Sequence, residues 1–201
     1  MDSGAFPPSH PYHSRLRNGE IRLLHLYPGR ETQPLTGRLQ VVRLSQTPSF
    51  EALSYEWGLP DKSKQFSTTD GGFIIHITAS LYQALRDLCP EMTQGPRILW
   101  ADSICINQED IEERQDQVAI MGDIYRLATQ VITYIGPERP FSAAAIQMAS
   151  KLAHLEHSPG DSFDALEQAG FPPSNDPRWY ELKSLCLRSW VRSRTNFQSF
   201  R

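Results

Sequence analysis

Carboxylates and amides crowd one short stretch of this chain: Asp102, Asn107, Gln108, Glu113 and Gln117 fall within it. A strand-end aspartate and an inward-facing glutamate could orient a sugar hydroxyl or act on a leaving group, which is the work paired carboxylates do at glycosidic bonds. Asp110 followed by Glu113 is also a capping-box arrangement that starts a helix. On a wheel of about 100° per residue, Ile120, Met121, Ile124, Tyr125, Leu127 and Ala128 share one half with Glu113 and Gln117. Glu112, Asp116, Asp123 and Arg126 take the other half. An inward carboxylate is costly unless it is partnered or lines a pocket. Two readings therefore stand side by side. In one, Glu113 completes the cap, Gln117 bonds a nearby backbone group, and Asp102 and Asn107 hold their loop by Asx-type bonds; in the other, these residues line a functional pocket.

Other chemistries find little support. Cys105 has no histidine near it in sequence and reads as a small buried hydrophobe. Cys89, Cys105 and Cys186 form neither a CxxC pair nor a disulfide framework, so no metal site is expected and a reducing compartment is. Gly71-Gly72 lacks the spacing of a phosphate-binding loop. A net charge of −3 gives no electrostatic footprint for nucleic acid. The apolar runs are too short for a signal peptide or a membrane span, and a cytoplasmic protein with no membrane partner is expected. Trp100 reads as a core anchor, and Trp57, just before Gly58, as a residue that could share the strand-end face of Asp102.

The elements that must position these residues follow from periodicity. With 201 residues, 39% of them hydrophobic, the chain can build one sizeable core. Residues 1–19 are proline-bearing and poor in apolar side chains, and read as a disordered tail. Strands are expected at 21–27, 37–44, 52–57, 97–102 and 130–135, with a hairpin over 65–77 turning at Asp70-Gly71-Gly72. Helices are expected after Thr78, stopping before Pro90, and at 110–128, followed by helical segments at 142–157, 163–169 and 177–190. Strand, helix and strand over 97–135 imply a parallel βαβ unit, and ligands in such sheets sit at the carboxyl ends of the strands.

Three ordered blocks carry a resemblance. Residues 50–58 (FEALSYEWG), residues 98–108 (ILWADSICINQ), and then Glu113-Arg114, Gln117-Val118, Met121, Ile124-Tyr125 and Ala128 resemble the fungal heterokaryon incompatibility (HET) domain. The resemblance covers residues 20–190. It implies a signalling and assembly module of self/non-self recognition and regulated cell death, with protein partners or self-assembly. HET domains are also distantly similar to TIR domains. That similarity implies an α/β fold with a central, mostly parallel sheet flanked by helices, an N-terminal hairpin elaboration and a helical C-terminal part. It aligns the Ser54-Tyr55 strand end with the first strand of a TIR fold, and makes Glu113 the counterpart of a glutamate that cleaves NAD. On that alternative, NAD is a substrate, Glu113 is catalytic, and Ser54, Tyr55, Trp57, Asp102, Asn107, Gln108 and Gln117 bind ligand. Two departures stand out: Glu56 replaces an apolar residue of the family's SYVWG pattern, and residues 191–201 lack the second tryptophan and the glutamate of the family's closing motif. The chain is thus expected to be a truncated HET domain with a divergent tail, with an inactive remnant as a further alternative.

Overall fold

The structure is a computed structural model and describes residues 11–12, 14–155, 163–188 and 191. The chain divides into two compact units at Tyr134. Among the described residues, the first unit is built on a seven-stranded sheet of order β5-β4-β2-β1-β6-β3-β7. Its strands are β1 (Glu20–Leu26), β2 (Thr36–Arg43), β3 (Glu51–Tyr55), β4 (Lys64–Thr68), β5 (Ile74–Ile77), β6 (Arg97–Trp100) and β7 (Gln130–Tyr134).

The sheet is mixed, where a mostly parallel one was expected. β3 pairs in parallel with β6 and β7, and β2 with β4, while β1–β2, β1–β6 and β4–β5 are antiparallel. The parallel βαβ unit is present: β6 leads through α3 (Ile111–Leu127) to β7, and the two strands flank β3. The β1–β2 hairpin is not an elaboration, because β1 is the central strand. Its sequence already fits that place. Ile21, Leu23, Leu24 and Leu26 are buried on both faces, as a strand covered on both sides requires.

Gly37 is needed where β2 crosses β1. A Cβ there would stand 2.2 Å from the His25 carbonyl and 2.9 Å from the Phe66 ring. The β4–β5 hairpin turns through Gly71 and Gly72, both at positive φ. Thr78 caps α1 (Ala79–Asp87), its side chain accepting from Leu81 N–H at 3.3 Å, and the helix ends before Pro90. Residues 97–102 do not stay extended to Asp102: β6 stops at Trp100, and Asp102 opens the single helical turn α2 (Asp102–Cys105).

Residues 14–19, assigned to the tail on composition, are held by packing and polar bonds. Leu16 is buried, and Arg15 forms a two-pronged pair with Asp110 at 2.8 and 3.1 Å. Residues 1–10 lie outside the described residues.

The second unit holds α4 (Ser142–Ala153), α5 (Phe163–Gln168) and α6 (Pro177–Cys186). Asp176 caps α6 with Pro177 in its first turn, and Ser142 Oγ on α4 donates to Glu181 on α6 at 2.8 Å. Trp179 packs against Phe163 and Phe171 and donates to the Pro172 carbonyl at 3.1 Å. Phe141, which precedes α4, sits at φ 70°, a conformation that costs a bulky residue strain. The expected helices 142–157 and 177–190 end earlier, at Ala153 and Cys186; Trp190 and the tail beyond Val191 lie outside the described residues.

Candidate functional site

The structure divides the sequence-derived site residues into two neighbouring groups. The first gathers at the carboxyl ends of β3 and β6. There the Trp57 indole N–H donates to both oxygens of Asp102, at 3.0 and 3.1 Å. Gln108 Nε2 donates to the Asp102 carbonyl at 2.8 Å, and the Tyr55 hydroxyl bonds Ser103 Oγ. Ser54 is buried within β3 opposite Thr133. Burial pushes the Asp102 carboxyl up from its ordinary value, against the hydrogen bond from Trp57. Burial, with the nearby charge of Asp102, also raises the Tyr55 phenol. Trp57 itself is 42% exposed, so it forms the outer wall of this group.

The second group lies beneath the start of α3. Asp110 caps the helix, its Oδ1 accepting from Glu113 N–H at 3.0 Å. The Glu113 side chain does not turn back to close the capping box. It points inward, where Arg22 on β1 meets it with both terminal nitrogens, Nη2 to Oε2 at 2.9 Å and Nη1 to Oε1. Asn107 N–H donates to the same carboxylate at 2.8 Å and Leu16 N–H at 3.2 Å. Glu113 is 1% exposed and Arg22 2%. Burial alone would raise the Glu113 carboxyl, but Arg22 and the two backbone N–H groups outweigh it, and the net shift is downward.

Arg22 is equally occupied, donating to the Ser14 carbonyl at 2.6 Å and lying 5.1 Å from the Tyr12 ring centre. Tyr12 in turn donates to the Ile104 carbonyl at 3.0 Å. Gln117, a turn further along α3, donates to the Glu20 carbonyl at 2.8 Å, the backbone bond that the structural reading anticipated. Its Oε1 and the Trp100 indole N–H are buried and unbonded. Cys105 is fully buried, and burial pushes its thiol up to about 12.

Glu113 and Gln117 thus bond no residue of the Asp102 group; Asn107 gives its backbone N–H to Glu113 while its side chain accepts from Glu109 N–H at 3.2 Å.

A model of the family described as "Heterokaryon incompatibility protein (HET)" matches residues 50–195. The chain belongs to the HET family. It is also similar to a curated protein of Neurospora crassa, "Heterokaryon incompatibility protein 6, OR allele", with 40% identity over 127 residues, 58% of this chain and 19% of that protein. The chain therefore spans about a fifth of the length of the curated relative it matches. No solved structure matches it.

Sequence reasoning missed Arg22, which lies upstream of the residues that the HET family model matches. The signal was available: one arginine inside IRLLHLY, a mostly apolar run, needs a buried counter-charge. Tyr12 and Leu16 were hidden by the composition of the segment around them. Glu56, where the family pattern has an apolar residue, is exposed just after β3, and its carbonyl accepts from Ser80 Oγ, so the substitution disturbs no buried position.

Proposed function

We propose that this chain is a signalling and assembly module of fungal self/non-self recognition, acting in the cytoplasm, where its activation leads to growth arrest and regulated cell death. The observation that carries this reading is the employment of Glu113. A carboxylate that cleaves a glycosidic bond must meet substrate, and this one is enclosed by Arg22, Leu16 and Asn107. Exposed apolar side chains add support. Ile111 and Val118, two turns apart on α3, are 60% and 56% exposed, as residues awaiting a partner would be. No helix among the described residues is long and apolar enough to cross a membrane.

A TIR-like arrangement belongs to this proposal as its finer fold assignment. The parallel β6-β3-β7 segment supports it, with Ser54 and Tyr55 ending the middle strand. The paired Trp57 and Asp102 at that end favour a second reading, in which a hydroxyl-bearing ligand such as the ribose of NAD replaces the indole as the partner of Asp102.

The test measures nicotinamide release from NAD by chromatography and self-association by light scattering, on the purified chain at high concentration, with Glu113→Gln and Glu113→Ala variants of matched folded content. The assembly reading expects association that grows with concentration and no turnover. Turnover by wild type that both variants lose, or a monomer at every concentration, would reject it.

A further inference from the structure

Strand β5 forms one edge of the sheet, and its ladder with β4 fixes which of its backbone groups are left over. Thr68 N–H donates to the Phe73 carbonyl at 2.8 Å, and these two residues continue the register Ser67↔Ile74, Phe66↔Ile75, Gln65↔His76. Directly opposed residues of an antiparallel pair alternate between exchanging both hydrogen bonds and exchanging neither. Ile75 and Ile77 therefore bond β4, while Ile74 and His76 turn their N–H and C=O groups away from the sheet. Their side chains are exposed as well, and those of Ile75 and Ile77 are buried.

A cleft of about 360 Å³ runs beside this edge. Phe73, Ile74, Ile75 and His76 all line it. Successive strand residues point to opposite faces, so a cleft that touches four in a row lies against the backbone edge and not against one face. Asn107 and Gln108 form part of the remaining wall. Asn107 Oδ1 accepts from Glu109 N–H and Gln108 Nε2 donates to the Asp102 carbonyl, which among the described residues leaves the Asn107 amide NH₂ and Gln108 Oε1 for a bound molecule. One amide donor and one amide acceptor are what the second edge of an extended backbone can use. Among the described residues that line the cleft, Lys62 and His76 supply basic groups against the one carboxylate of Glu109.

We propose that this cleft binds an extended peptide segment of a partner protein, added to β5 as a further strand, with an acidic side chain directed to Lys62 and His76. This rests on the assembly reading, for which it names the form the partner takes: a strand whose backbone gives affinity and whose charge gives selection.

The experiment titrates the ¹⁵N-labelled full chain with a blocked peptide of alternating valine and glutamate. Hydrogen exchange at the Ile74 and His76 amides slows on binding, and exchange at Ile75 and Ile77, already in the ladder, does not change. The same peptide methylated on alternate backbone nitrogens binds about tenfold more weakly or worse, the loss of one or two net hydrogen bonds. His76→Pro removes an outward N–H that β4 does not use, which an edge strand tolerates, and abolishes binding while the far-UV spectrum is kept. Binding indifferent to N-methylation, or unprotected Ile74 and His76 amides at millimolar peptide, overturns the proposal. Protection that rises with protein concentration in the absence of peptide also overturns it, by identifying a second copy of β5 as the occupant. Self-association and NAD turnover are read separately, so a failure here leaves the assembly reading to stand or fall on its own test.

Discussion

Replacing Glu113 by alanine removes the counter-charge of a guanidinium that is 2% exposed. Breaking one side of a buried ion pair costs about 3–5 kcal/mol, because the survivor is left charged and unsolvated. The Leu16 and Asn107 N–H groups lose their acceptor in the same step, and a buried donor left unmade costs about 1–3 kcal/mol. These losses share one site and do not add fully, so about 4–6 kcal/mol is expected in total, much of the roughly 5–15 kcal/mol that holds a typical domain folded. Glu113→Gln keeps the size but removes the charge and turns an amide NH₂ toward two of the four donors, and it should lose nearly as much. The informative variant is the double replacement Arg22→Met with Glu113→Leu. Apolar substitution of a whole buried pair is often neutral or stabilising, so the double variant should be more stable than either single one. Urea unfolding followed by tryptophan fluorescence gives the cycle, with Asp123→Ala, which breaks an exposed pair with Arg126, as the surface control expected within about 0.5 kcal/mol of wild type. A Glu113→Ala cost of about 1 kcal/mol or less, or a double variant as unstable as the sum of the singles, would refute the argument that the pair is sealed and mutually dependent.

Acid should unfold the protein in two stages. Burial holds His25 below its ordinary value of 6.5, so the unfolded chain binds that proton first and stability falls as pH drops through about 6.5. Asp110, Glu113 and Asp176, the last lowered to about 2 by Arg178, then lose their contributions as pH falls below about 4. Asp102 has the opposite sign: its carboxyl is raised, so protonation favours the fold and its contribution falls as pH rises through the folded value. Asp102→Asn keeps an acceptor for Trp57 without the charge, and should leave stability at neutral pH unchanged or higher in denaturant melts, whereas a marked loss there would mean the carboxylate charge itself is needed. Gly37→Ala should cost at least about 1–3 kcal/mol, read as a drop in the urea midpoint, since its Cβ would meet the His25 carbonyl at 2.2 Å.

Much of the scaffold was legible because it is local. The β4–β5 hairpin, the Thr78 and Asp110 caps and the α3 face each declare themselves within a few residues. What escaped depends on distant partners. Pairing of β1 with both β2 and β6 decides that β1 is central and makes two of the six strand junctions antiparallel, and no window of sequence contains both neighbours. The site followed the same rule. That Glu113 faces inward was readable from the wheel; that it meets Arg22 and not a ligand was not, because 91 residues separate them. Trp57 meeting Asp102 was anticipated as a shared face, and the structure adds the hydrogen bonds.

That separation has a kinetic consequence. β1 and β2 leave the ribosome before the other described strands, and they can meet as a hairpin at once, but Arg22 then has no counter-charge until α3 has been made. A lone guanidinium resists burial, so the early hairpin stays wet on that face and the sheet cannot close around it. Closing so long a loop before the ion pair can form gives the first unit a high contact order and slow folding. The Arg22–Glu113 pair thus ties the central strand to α3 and can form only once both have been made.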